Sequence, residues 1–341
     1  MSISHHTEFP YRQNLDEVSL ARPVLILLVV LYHSMAIHTG NWTLPEGLTV
    51  IPAYKVIGRL SYAFMLESFV FVSGYVWAYQ RETKGRKDAF LQLCRKKAVR
   101  LLIPTIVFGL LYCCLFERNQ LTILHLLEGP GHLWFLPMLF ECFIISWLLL
   151  RTNISLRVVL PVLFLLGIIM PPELPFRLSY TFYYLPFFLL GYYLYGWYDR
   201  LKDVKLIYII VAWGLFIVSY FGMVIFRSWL AASVFHPVLL GFGKTGSMIV
   251  YSLFGTIALI LTSIYLTRRI KLTDKYVKLG SLCMGVYIFQ QFVLELFYYH
   301  TRASFVFPNW LLPLLGFVLA LVLSLIFTYV IRTTKLGKHL I

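Results

Sequence analysis

The chain has 341 residues, of which 60% are hydrophobic and 13% charged, against about 25% charged in an ordinary soluble domain. Its 30 Lys and Arg outnumber 15 Asp and Glu, for a net charge of +15. No polar stretch is long enough for a soluble domain, and no nucleic-acid motif accompanies the basic balance. The sequence therefore reads as one all-α, polytopic membrane domain spanning 1–341, with membrane lipids rather than nucleic acid as its surroundings.

A mostly polar segment, MSISHHTEFPYRQNL, precedes the first apolar run. That run is long enough to span and has no small-residue cleavage site behind it, so it is expected to stay as helix one, near 19–38. Its core, ARPVLILLVVLYHSMAIH, opens on Arg22 and contains His33. At about 100° per residue, eleven steps return His33 to within about 20° of the Arg22 face, roughly 16 Å further along. An arginine near a helix end can snorkel to the interface. An imidazole near the middle must face protein or water, as a packed core group or as a functional one.

Helix two is expected near 57–80. It carries Glu67 near mid-membrane, and Ser73-Gly74 marks a place where another backbone or a ligand comes close. A buried carboxylate needs a partner. His33 is one candidate, because a carboxylate on one ring nitrogen fixes the tautomer and raises the basicity of the other. Structural pairing elsewhere is the alternative, and Glu141 is the other intramembrane acid. The basic stretch 81–100 then reads as a connection, with Arg95, Lys96, Lys97 and Arg100 bunched where helix three, 98–116, enters the membrane. Such density marks a cytoplasmic loop and also suits a phosphate-rich ligand.

The segment EGPGHLWFLPMLF leads into helix four, 132–150. Gly-Pro-Gly forces a turn, and His132 and Trp134 follow it either as part of an interfacial aromatic belt or as the rim of a sugar pocket. Six further helices are placed near 157–171, 180–197, 204–225, 245–266, 281–299 and 309–331, making about ten; the fifth is short and stops at a Pro pair. The five cysteines, Cys94, Cys113, Cys114, Cys142 and Cys283, lie in or beside apolar segments without metal-ligand spacing, so neither a disulfide framework nor a metal is expected.

With ten spans, alternate connections share a side. One side then collects 23 of the 30 Lys and Arg, and the other holds Lys55, Arg59, Arg118, Arg177, Arg227, Lys244 and Arg302. The positive-inside bias makes both termini cytoplasmic, with 1–18 as an N-terminal segment and 332–341 as a tail. Arg22 then lies at the cytoplasmic mouth, where a guanidinium suits an anionic ligand, and His33 lies in the outer half, where a neutral imidazole suits a general base.

Four of these pieces, in order, carry a resemblance: Arg22 and His33 at Arg-x10-His spacing, FVFVSGYVW in helix two, KAVRLLIP entering helix three and GHLWFL entering helix four. Together they resemble the acyltransferase-3 family of integral membrane acyltransferases, with YTFYYLPFFLLGYYLYGW and SLCMGVYIFQQFV similar to later family segments and the former close to bacterial sugar O-acetylases. The resemblance implies a roughly ten-helix core in a bacterial cytoplasmic membrane. It also implies an acyl group, acetyl above all, drawn from cytosolic acyl-CoA and moved to a hydroxyl of a surface glycan or its lipid-linked precursor, with His33 essential. Two positions depart from the family pattern. Lys97 and Arg100 stand where many members have Arg-x-x-Arg, and Tyr287 is followed by Gln290 where relatives often carry a histidine.

On this reading Arg22, Arg95, Lys97 and Arg100, with Ser73 nearby, hold the donor; His33 is the base and Glu67 its support; and His132, Trp134 and Glu141 face the acceptor, with His132, Ser73 or a backbone N–H meeting the oxyanion. Self-association into a homo-oligomer is left open. A secondary transporter or glycan flippase with a His/Glu relay, or a non-catalytic partner in glycan assembly, are the rival classes, though no inverted repeat is evident. The charge bias yields a first prediction. A cysteine introduced as Arg86→Cys should react with a membrane-impermeant thiol reagent only once the cytoplasmic face is opened; labelling from outside intact cells would invert the arrangement.

Overall fold

The computed structural model describes residues 14–152, 154–171, 174–232, 237–270, 272–335 and 337–341, and among these every regular element is helical. Residues 1–13 of the expected N-terminal segment lie outside the described residues. Ten long helices follow the expected order: α1 Asp16–Ser34, α2 Pro52–Ala78, α3 Phe90–Phe116, α4 Phe135–Leu149, α5 Leu156–Ile169, α6 Leu178–Tyr195, α7 Leu206–Ala232, α8 Pro237–Thr267, α9 Asp274–Tyr299 and α10 Leu312–Thr333. Eight are long and apolar enough to cross a membrane. The other two are α5, only 14 residues long before Met170 and the Pro pair, and the tyrosine-rich α6.

Local chemistry explains where the helices depart from expectation. The first apolar run was expected to continue to 38, but α1 ends at Ser34, whose carbonyl accepts from Tyr298 Oη and whose own Oγ donates back to Leu31 O at 2.8 Å. A separate turn, Ala36–Thr39, follows and closes on left-handed Gly40. The basic stretch expected as a connection is largely helix. From Phe90 onward it is the first part of α3, which widens into one π turn over Ala98–Leu102. Pro104 explains the widening: it lacks an N–H and its ring crowds the preceding turn, and a π turn relieves both.

Helix α1 is held by α2, α8, α9 and α10. Around it, α2 packs on α6 and α8, α9 on α10, and α4 and α5 on α6. Helices α7 and α10 bury only 22% of their most apolar window against 61% for α2, which identifies them as the lipid-facing rim.

The α2/α6 crossing is the tightest contact. A methyl built on Gly74 would overlap the carbonyl of Phe188, and one on Gly191 would overlap the carbonyl of Phe71, so each helix inserts its backbone into the notch left by the other's glycine. This is the close backbone approach expected at Ser73-Gly74. Gly74→Ala and Gly191→Ala should each force the helices apart at a cost of about 1–3 kcal/mol, the usual penalty of overpacking. Thermal unfolding in detergent should show both midpoints lowered; unchanged midpoints would mean that the crossing is not tight.

Candidate functional site

Helix α1 presents Arg22 and His33 to two different cavities. The larger, about 650 Å³, lies at the Arg22 end and is lined by Arg22, Ser73, Gln80, Lys97, Arg100 and Arg332 among apolar side chains of α1–α4 and α9. No Asp or Glu side chain is among its described lining residues. Arg22 and Arg100 make no hydrogen bond or ion pair with a described residue. Lys97 Nζ stands 3.5 Å over the Phe143 ring, and Arg332 Nη1 donates to Ser281 O and Oγ at 3.1 and 2.9 Å. Elsewhere on α3 the cations are otherwise occupied: Lys96 pairs with Asp88, and Arg95 points to solvent outside the cavity. Arg95 thus lies apart from the cavity that the other expected donor-binding cations line, and Arg332 and Gln80 join them there.

The second cavity, about 250 Å³, lies at the His33 end and is lined by His33, Trp42, Tyr62, His132, Trp134 and Gln291, among others. His33 and His132 face each other there with ring centroids 6.2 Å apart, and Trp42 lies 6.1 Å from His33. Their tautomers follow from their partners. His33 Nδ1 lies 2.9 Å from Val29 O, and a carbonyl only accepts, so Nδ1 carries the proton and Nε2 keeps its lone pair. His132 Nε2 lies 3.0 Å from Ile288 O, so Nε2 is the protonated nitrogen, while Nδ1 is buried without a partner. Tyr287 Oη donates to the His132 carbonyl.

The turn that delivers His132 depends on its glycines. Gly129 and Gly131 both have positive φ, +80° and +54°, and a methyl on Gly131 would press into the Tyr112 ring at 2.9 Å. Trp134 then stacks on Tyr180, with centroids 4.9 Å apart.

The two cavities share four lining residues, Val29, Leu66, Phe135 and Tyr287. They are therefore two chambers that adjoin at these residues.

The structure does not bring Glu67 to His33. Glu67 Oε1 accepts from Tyr183 Oη at 2.9 Å and Ser252 Oγ at 3.1 Å, and Glu67 lines neither chamber, so its expected support of the imidazole is replaced by a tie between α2, α6 and α8. Glu141 accepts from Thr181 Oγ1, joining α4 to α6, and also lines neither chamber. The expected oxyanion donors are engaged as well: Ser73 Oγ donates to Phe69 O at 2.8 Å, and the His132 proton sits on Ile288 O. Gln290 is fully buried in α9, away from both chambers.

Residues that the sequence reading did not single out include Trp42, Tyr62 and Gln291. Trp42 carried a signal, an aromatic in the polar HTGNW segment that follows the His33 helix. Because Glu67 ties three helices, Glu67→Ala should lower stability by about 1–3 kcal/mol, the cost of orphaning buried hydroxyls. Thermal melts check this, and an unchanged midpoint would mean that the tie contributes nothing.

The geometry can now be set beside known proteins. No curated protein and no solved structure matches the chain. The family profile described as an acyltransferase domain, that of the acyltransferase-3 family, matches residues 15–332 and so takes in the smaller chamber, all of the larger one's lining but Leu340 and Ile341, and all ten helices up to the last residue of α10. The chain belongs to the acyltransferase-3 family and is a multi-pass membrane acyltransferase.

Proposed function

We propose that the protein transfers an acyl group, acetyl above all, from cytosolic acyl-CoA to a hydroxyl of a surface glycan or its lipid-linked precursor, in a bacterial cytoplasmic membrane. The observation that carries this reading is the pair of chambers, one lined by cations without carboxylates and one by two histidines, meeting at Val29, Leu66, Phe135 and Tyr287. The cationic chamber, at about 650 Å³, falls within the range of about 300–1,000 Å³ common for small-molecule sites. Arg22, Lys97, Arg100 and Arg332 would hold the diphosphate and ribose-phosphate charges of the donor. The outer chamber, at about 250 Å³, lies below that range and admits only the reacting end of an acceptor.

The activated acyl group is supplied by the thioester of acyl-CoA. His33 takes the acceptor's hydroxyl proton at its free Nε2 while Val29 O holds the Nδ1 proton, and the resulting alkoxide forms the new ester bond as the carbon–sulfur bond breaks. His33 then returns the proton to the departing thiolate. With Ser73 and His132 engaged, the indole N–H groups of Trp42 and Trp134 line the chamber without an acceptor among the described residues, and they are the donors available to the oxyanion.

Two tests separate binding from chemistry. Arg22→Lys keeps the charge and loses the two-pronged donor, so calorimetry in detergent should show coenzyme A binding weakened about tenfold, the cost of one charge-assisted hydrogen bond. Equal affinity would remove Arg22 from the phosphate role. His33→Ala should leave that binding nearly intact and lower transfer from radiolabelled acetyl-CoA by about 10²–10⁴. A well-folded His33→Ala protein with the parent rate would mean that the imidazole serves packing alone. Substrate flux without acyl transfer would favour a transporter.

A further inference from the structure

We propose that Cys113, Glu117 and His125 form a binding site for a divalent transition metal, Zn²⁺ by the chemistry of its donors, just ahead of the turn that leads into the outer chamber. Cys113 and Glu117 are one helical turn apart at the end of α3, and His125 comes from the short helix Ile123–Glu128 that follows. One donor atom from each, the thiol sulfur, a carboxylate oxygen and an imidazole nitrogen, all lie within 4.8 Å of one another. His125 Nε2 and Glu117 Oε2 are already 3.0 Å apart. Donors on a tetrahedral zinc lie about 3.3–3.8 Å apart, from metal–ligand bonds of about 2.0–2.3 Å. Rotation of the flexible Glu117 and Cys113 side chains closes the remaining gap.

The charges around the cluster favour a cation. Glu295 of α9 interacts with Glu117 as a like charge, and both face the same end of α3. The cation nearest in sequence, Arg118, is directed elsewhere, with Nε donating to Cys114 O at 2.8 Å. A thiolate, an imidazole and a carboxylate together suit a borderline-soft ion such as Zn²⁺ better than Mg²⁺ or Ca²⁺, which take oxygen donors. Glu295 or water would complete the four-coordinate shell. Binding releases the Cys113 thiol proton to solvent, with no change of oxidation state, and the imidazole binds through Nε2 with its proton on Nδ1.

The site has a structural purpose. The short helix bearing His125 runs straight into the Gly129–Gly131 turn, where Pro130 packs on Gly109 and Gly131 on Tyr112. A metal joining that helix to α3 would fix the segment that presents His132 and Trp134 to the outer chamber.

The test uses the full chain in detergent, with the adjacent histidines His5 and His6 replaced by Ala to remove a competing ligand pair. After chelation, loading with ZnCl₂ and desalting, elemental analysis should find about one zinc per chain. Cys113→Ser and His125→Ala should each reduce zinc to background, and Cys114→Ser, at the exposed neighbouring position, should not. Co²⁺ loaded in place of Zn²⁺ should give a thiolate-to-cobalt charge-transfer band that Cys113→Ser abolishes. A parent protein that emerges metal-free, or a cobalt spectrum without that band, would leave only a His125–Glu117 ion pair and overturn the proposal. So would undiminished zinc in the combined Cys113→Ser and His125→Ala protein. If Cys113→Ser does not fold, the parent cobalt spectrum and His125→Ala, at a partly exposed position, still decide the question.

Discussion

Hydrocarbon tolerates a cation and an imidazole on one helix only if other helices enclose that helix, and the arrangement around α1 follows from this constraint. Helices α2, α8, α9 and α10 pack around it, with cavities beside its polar groups at the Arg22 end and at the His33 end and only apolar side chains such as Val24 and Leu27 left exposed elsewhere. The enclosing helices must come close, and the glycine notches at the α2/α6 crossing let them do so. The lipid-facing rim can then be plain: α7 and α10 are apolar over most of their length and bury little.

Polar pairing divides the remaining charged groups into two kinds. Glu67, Glu141 and Asp88 are each occupied, by Tyr183 and Ser252, by Thr181, and by Lys96; the first two fasten helices to one another, and Asp88 ties the segment before α3 to that helix. Among the described residues, Arg22 and Arg100 have no carboxylate partner where they line a cavity. A cation removed from water without a counter-charge, as Arg22 is in part, costs desolvation energy that no internal contact returns, so such a group is retained where an incoming anion can supply the missing charge. Arg95 and Arg100 are both exposed and lie five residues apart on one helix, and only Arg100 lines the cavity.

Much of this was legible in the sequence, because helical periodicity and hydrophobic length are local properties. The order of ten helices, the shared stripe of Arg22 and His33 and the close approach at Gly74 could all be read from spacing and residue type. Partner choice could not. Glu67 was assigned to His33 on chemical fit, whereas the fold sets Ser252 of α8 and Tyr183 of α6 beside it, and nothing within a few residues of Glu67 signals either. Arg332 was visible only as one of many cytoplasmic-side charges, since its place at the cavity depends on how α10 packs on α9 more than two hundred residues after α3. The basic stretch before Pro104 was read by composition as a loop. Its helical character, and the π turn that sets Lys97 and Arg100 on the cavity wall, follow from a proline whose effect on the preceding turn is hard to distinguish from simple helix initiation.

The shared wall between the chambers has a consequence for the membrane as an insulator. Val29, Leu66 and Phe135 offer only hydrocarbon to it, and the single hydroxyl, on Tyr287, is bound to the His132 carbonyl. A file of water crossing there would meet hydrocarbon and one hydroxyl already engaged, and so would be poorly solvated. An acyl group, being apolar, is the kind of cargo such a layer admits. In the proposed reaction such a junction would favour passage of the acyl group over passage of ions between the two chambers.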